Sequence, residues 1–300
     1  MPTRLRNGLS AALIALACLL APFGTLAAWA YGLADTGRYV TTMAPLAADP
    51  AVREAVADSV GTGIMQQIPE LDAGPLRATV APFVHDAVRS FTRTEAFRTA
   101  WDSGNRALHD AVLHALHQDD LRPVTVDLAP VTAQVKRQLT DDHMPLAQRI
   151  PVEHTAVAVL PARELAHFRK GFHVLEVAGF WLPLTAAALA VAGIAVAACR
   201  RRAVTATALG TALGGAFLCL ALAIGRRLTL ADLPEEVHRQ AAGAVYDALT
   251  ATLRTVSLLL VALGLTVALT CWLTGLLLRR RRASAAPAPD PQPQPTRARA

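Results

Sequence analysis

The sequence predicts a mainly α protein: a four-span transmembrane helical bundle that carries an α-helical extracytoplasmic domain, with one small two-stranded β element as an addition. Three observations point there. Four apolar blocks without charge are each long enough for the roughly 20 residues that cross a bilayer as helix. Arginine clusters stand at the ends of those blocks. The long segment between the first and second blocks reads as soluble protein with apolar residues at helical spacing. At 300 residues with 53% hydrophobic content and a positive mean hydropathy, the chain is too apolar for an ordinary soluble domain.

The expected organisation is a cytoplasmic N-terminus at residues 1–8, a first transmembrane helix at 9–32, and an extracytoplasmic helical domain with a stalk at 33–175. Transmembrane helices follow at 176–199 and 203–225. An extracytoplasmic loop and stalk helix occupy 226–254, a last transmembrane helix 255–278, and a cytoplasmic, proline-rich, disordered tail 279–300. Arg200, Arg201 and Arg202 read as the hinge of an antiparallel hairpin. Three arginines in so tight a connection are retained in the cytoplasm, because basic residues in short loops do not translocate. Both termini are then cytoplasmic, and the expected location is the cell membrane, multi-pass.

Sorted by segment, the net charge of +6 becomes a topology signal. On the expected cytoplasmic side lie eleven arginines against one acid, Asp290, whereas residues 32–175 hold 14 basic and 17 acidic residues. The basic clusters add attraction to anionic headgroups. No basic helix with interleaved aromatics marks the soluble part, so no nucleic-acid partner is expected. The expected partners are the lipid bilayer and a protein bound through the outer helical domain. Cys18, Cys199, Cys219 and Cys271 all fall within or at the ends of the apolar blocks, so the outer domain must hold together by its core, without disulfides.

Taken in order, residues 7–34 are uncharged behind Arg4 and Arg6. Ala28-Trp29-Ala30 fits the small-x-small site of a cleaved secretory signal. The apolar stretch is longer than a signal core, which favours an uncleaved anchor with Trp29 and Tyr31 at the outer interface. Asp49-Pro50 reads as a cap followed by proline at the first helical position, leading into Val52, Val56, Val60 and Ile64. A second helix shows Val80, Phe83, Val84, Ala87, Val88 and Phe91 as one buried stripe. A third begins near Thr94 and buries Phe97, Trp101, Leu108, Val112 and Leu116. A shorter fourth, entered by Pro130, shows Val131, Val135 and Leu139. Residues 124–128 and 155–160 are β-branched, bounded by prolines, and read as a strand pair. From Ala162 the helical pattern meets no stop before Cys199, so the second span should rise into a stalk along Leu165, Phe168, Phe172, Leu175 and Gly179, with Pro183 inside and Phe180 and Trp181 at the interface. Gly210 and Gly214 form a small-xxx-small pair that permits close helix approach. Asp232-Leu-Pro234-Glu235-Glu236 starts a helix that runs without a breaker into the last span, making a second stalk.

Candidate chemistry is sparse. Asp110, His114 and His117 share one helix face as metal ligands would. At about 100° per residue, however, they point some 180° away from the core stripe of their helix, so a solvated polar face is the expected reading. Asp141-Asp142-His143 and Glu153-His154 lack a third ligand at fixed spacing and read as turns or caps. No GxSxG, HExxH, Walker loop or CxxC occurs. No catalytic, cofactor-binding or metal residues are therefore assigned, no cofactor is expected, and the chain is not expected to be an enzyme. None of the four spans holds an ionisable residue, which disfavours ion or proton transport. Thr205, Thr207, Thr211, Thr266, Thr270 and Thr274 are their polar inventory.

The phrases APLAADPAVREAVADSV (residues 44–60) and VDLAPVTAQVKRQL (126–139), with the closing arginine stop, resemble a family of uncharacterised actinobacterial integral membrane proteins. The similarity implies the membrane architecture but no activity or site residues. The order of one span, a large outer domain and three spans with stalks also resembles the permeases of mechanotransmission-type ABC systems. Those carry a cytoplasmic coupling element between spans two and three, for which Arg200 to Arg202 leave no room. The expected function is thus a non-enzymatic envelope protein that senses or binds through its outer domain. A permease subunit or small transporter is the alternative, and a metal-dependent envelope hydrolase a third.

Overall fold

The computed structural model describes residues 3–66, 76–117, 124–127, 156–160, 162–233 and 236–284, together with residues 133, 137 and 140. Val131, Val135 and Leu139 of the expected fourth helix, the Asp141–His143 and Glu153–His154 clusters and the tail beyond residue 284 lie outside the described residues.

Four helices dominate: α1 (Thr3–Leu33), α6 (Ala162–Val196), α7 (Arg200–Ala231) and α8 (Glu236–Ser284). Each is long and apolar enough to cross a membrane. A head of shorter helices gathers where α1 ends: α2 (Thr36–Met43), a 3-10 turn (Ala44–Ala48), α3 (Pro50–Gln66), α4 (Leu76–Phe91) and α5 (Glu95–His117). Strand β1 (Val124–Asp127) pairs antiparallel with β2 (Ala156–Leu160) and lies against α5.

Helix starts follow from local chemistry. The Asp35 carboxylate accepts the Arg38 amide at 2.7 Å, turning the chain from α1 into α2. Asp49 Oδ1 accepts the amides of Ala51 at 2.8 Å and Val52 at 3.3 Å, so α3 begins at Pro50, whose missing N–H is not needed there. Thr94 Oγ1 accepts the Phe97 amide at 3.2 Å and opens α5.

The long helices pack as two pairs, α1 along α6 and α7 along α8, and α1 joins the pairs by packing on α7. Glycines set both distances. A Cβ on Gly24 would come within 2.9 Å of the Pro183 nitrogen, and one on Gly215 within 2.7 Å of the Ser257 carbonyl. Gly210 and Gly214, the small-xxx-small pair, face Cys18 and Pro22 of α1. Although α6 and α7 are consecutive, α1 fills the space between them, closing over the turn with Ile14 against Ala197 and Ala203.

Several expectations change. The hinge is Ala197–Cys199, and Arg200, Arg201 and Arg202 form the first turn of α7. Helix α7 continues six residues past Gly225, to Ala231. On α3 the buried face is Val52, Ala55, Ala57, Gly61 and Met65, while Val60 and Ile64 are exposed. Small residues turn inward there because α4 approaches closely: a Cβ on Gly61 would lie 2.8 Å from the His85 ring. On α4, Phe83 is 76% exposed, and Ala87 is exposed as well. In α5, Phe97 is buried, while Trp101, Leu108, Val112 and Leu116 are half-buried.

Candidate functional site: the head and its seat on the long helices

The head rests on the extension of α8. Met43, Leu46 and Val52 are buried there against Tyr39, Trp101, Ala244, Val245 and Leu249. Trp101 donates its indole N–H to the Met43 carbonyl at 2.9 Å, so the largest ring at the junction leaves no orphan donor. Beside it a groove of about 310 Å³ is lined by Val52, Val56, Val60, Trp101, Ala241 and Val245. At its rim the Ser59 hydroxyl meets His238 Nε2 at 3.2 Å.

Below the junction, polar contacts clasp α8 to its neighbours. The Arg226 guanidinium grips Asp247 through Nε at 2.9 Å and Nη2 at 3.0 Å, a bidentate geometry. Tyr246 donates to the Leu222 carbonyl at 2.9 Å, and Trp29 to the Leu249 carbonyl at 3.2 Å. At the opposite, arginine-rich end, Arg201 donates to Thr274 Oγ1 at 2.7 Å and to the Cys271 carbonyl. Arg6 reaches the Val196 carbonyl at 3.4 Å. Between these ends the threonines bond their own helices: Thr207 donates to the Ala203 carbonyl, Thr211 to Thr207 and Thr266 to Ala262. Their hydroxyls are thereby satisfied by backbone.

A second polar centre sits at the corner where α1, α2 and α5 meet. The His109 ring stacks on Tyr39 with centroids 4.4 Å apart. Its Nδ1 lies 3.0 Å from Thr36 Oγ1 and its Nε2 3.0 Å from the Leu33 carbonyl. Thr36 Oγ1 donates in turn to Asp110 Oδ1 at 2.7 Å. Burial pushes the Tyr39 hydroxyl above its ordinary value. Elsewhere in the head, Arg89 bridges α4 to α3 through Glu54, with Nη2 to Oε1 at 2.6 Å and Nε to Oε2 at 3.0 Å. That hydrogen bond, more than the surrounding charge, holds the Glu54 carboxyl below its ordinary value.

Asp110, His114 and His117 are all exposed, but the structure does not bring them together as ligands. Asp110 belongs to the Thr36 contact. The His117 Nδ1 donates within its own helix to the Leu113 carbonyl at 2.7 Å, and its ring meets Phe172 of α6 edge-on, centroids 5.2 Å apart. Among the described residues no group of three His, Cys, Asp or Glu is placed to hold a metal ion. Sequence reasoning passed over His109. Its available signal was position, about 75° from the core direction of α5 at 100° per residue, on the border where an imidazole can be stacked and hydrogen-bonded at once.

These observations define the class: a helical protein with four helices long and apolar enough to cross a membrane and a small helical head packed on one of them. No family model matches the chain, and neither the curated proteins nor the solved structures contain a match to it.

Proposed function

We propose that the chain is a non-enzymatic cell-envelope protein whose head faces the outside of the cell membrane, binds a partner or ligand there, and passes the change through α8 to the arginine-rich cytoplasmic end. The observation that carries this reading is that α8 is both continuous and seated in the head's buried core. It is a single helix of 49 residues, about 73 Å long at 1.5 Å per residue. Its extension is part of the head's buried core, while its far end is held by Arg201. A displacement of α3 or of the 3-10 turn against Val245 and Leu249 therefore acts on a rigid rod. The arginines at the far end support the orientation, since they resist translocation.

The test uses the full chain in nanodiscs. Cysteines replacing Ser59 and His238, bridged by a short thiol crosslinker, clamp α3 to α8 at the groove rim. Spin labels at Leu9 and Leu277, both exposed, report the arginine end. Clamping is expected to narrow or shift the distance between the labels. A distribution that is identical with and without the clamp would show that nothing is relayed.

A further inference from the structure

We propose that Thr36, His109 and Asp110, with the Leu33 carbonyl, form a proton-binding site that closes the corner between α1, α2 and α5. The Leu33 carbonyl can only accept, so His109 Nε2, 3.0 Å away, must carry a proton. An ionised Asp110 can only accept, so the single hydroxyl hydrogen of Thr36 points to it across 2.7 Å. Thr36 Oγ1 has then no hydrogen left for His109 Nδ1 at 3.0 Å, and that contact requires a proton on Nδ1 too. The closed corner thus holds one proton more than a neutral imidazole beside an ionised carboxylate. Either His109 is an imidazolium or Asp110 is protonated and donates to Thr36, whose hydrogen then turns to Nδ1.

The surroundings suit that extra charge. Leu33 is the last residue of α1, and a cation at a helix C-terminus faces the negative end of the dipole. The ring also lies flat on Tyr39, whose π face attracts a cation. Near the corner in sequence, the described ionisable groups on these helices are Tyr31 on α1, Asp35 and Arg38 on α2, and Arg106 and His114 on α5; the Arg38 guanidinium lies against Gly32 at the end of α1. Asp35 is engaged in capping α2. When the extra proton leaves, the single Thr36 hydrogen can serve either Asp110 or His109 but not both, so one of the three contacts must break; each of them joins α5 to the α1–α2 turn, and α5 loosens there. This names a stimulus for the head proposed above, namely the proton activity of the medium around it. The site itself stands on its own geometry, whether or not α8 relays anything.

Hydrogen exchange at the backbone amides of residues 36–43 reads the corner directly. The full chain is measured in nanodiscs from about pH 5 to pH 8, across the ordinary imidazole range, with intrinsic exchange rates divided out. Protection is expected to fall by about tenfold or more as pH rises through that range. Thr36→Ser keeps the hydroxyl and should keep the profile. Asp110→Asn, at an exposed position, can donate its amide N–H to Thr36 Oγ1, which frees the Thr36 hydrogen for a neutral ring and should hold protection high and flat. His109→Gln should also abolish the pH dependence. A flat wild-type profile, or a wild-type profile retained in Asp110→Asn or in His109→Gln, would overturn the proposal. Because the signal is local to α2, its failure is distinguishable from a failure of the relay through α8.

Discussion

Two helices of the bundle continue past the level of Trp29 toward the head, and they are treated very differently there. The extension of α8 is buried among Met43, Leu46 and Val52 and clasped by Ser59, Arg226 and Trp29. Among the described residues, the extension of α6 meets α5 through the edge of His117 on Phe172, pairs His173 with Glu176 of its own helix at 3.7 Å, and leaves Val174 and Val177 more than 60% exposed. Both are unbroken helices. Helical continuity is therefore not coupling; what couples a long helix to a head is the apolar area and the directed hydrogen bonds at the junction.

The contrast can be broken most forcefully by removing one side chain from each junction. Met43 is 3% exposed, so Met43→Ala should cost about 2–5 kcal/mol, the range for emptying a buried aliphatic site. Phe172→Ala removes one half-buried ring contact and should cost about 0.5–1.5 kcal/mol. Urea unfolding of the head in detergent, followed by Trp101 fluorescence, compares the two. Equal losses would mean that α6 is anchored as firmly as α8.

A smaller effect sharpens the picture of the clasp. Arg226 and Asp247 are roughly half exposed, so solvent screens their attraction and a double-mutant cycle of Arg226→Gln with Asp247→Asn should return about 0.2–1 kcal/mol. A coupling near zero would leave Tyr246 and Trp29 as the working contacts on this side.

The smallest effect lies within the head. Glu54 is held below its ordinary value chiefly by its hydrogen bond to Arg89. A depressed carboxyl contributes stability above its unfolded value, near pH 4.3, and loses it as pH falls through the lower folded value. The α3–α4 contact should therefore weaken only below about pH 4, and Arg89→Gln should flatten that acid limb in exchange measurements on residues 51–58.

Much of this architecture was legible in the chain because its signals are long. Runs of more than twenty uncharged residues, closed by arginines, announce the four long helices whatever packs against them. Asp49-Pro50 and Thr94 announce the starts of α3 and α5 because capping is local chemistry. What stayed hidden depends on partners distant in sequence. Val60 and Ile64 looked like core, but the approach of α4 and α8 turned Ala55, Ala57 and Gly61 inward instead. Phe83 fitted a stripe that no neighbour among the described residues covers. The pairing of α1 with α6 could not be inferred from the short turn between α6 and α7, which suggested those two as the close pair. The His109 corner was invisible for the same reason, since Leu33, Thr36 and His109 meet only once α5 folds back over the end of α1.

The difference between the two extensions is tested most directly by amide hydrogen exchange in the full chain, comparing residues 171–178 of α6 with residues 241–248 of α8. Segments with few buried contacts open more often, so the α6 segment is predicted to exchange faster under the same conditions. Equal protection, or slower exchange in α6, would contradict the assignment of α8 as the helix on which the head is seated.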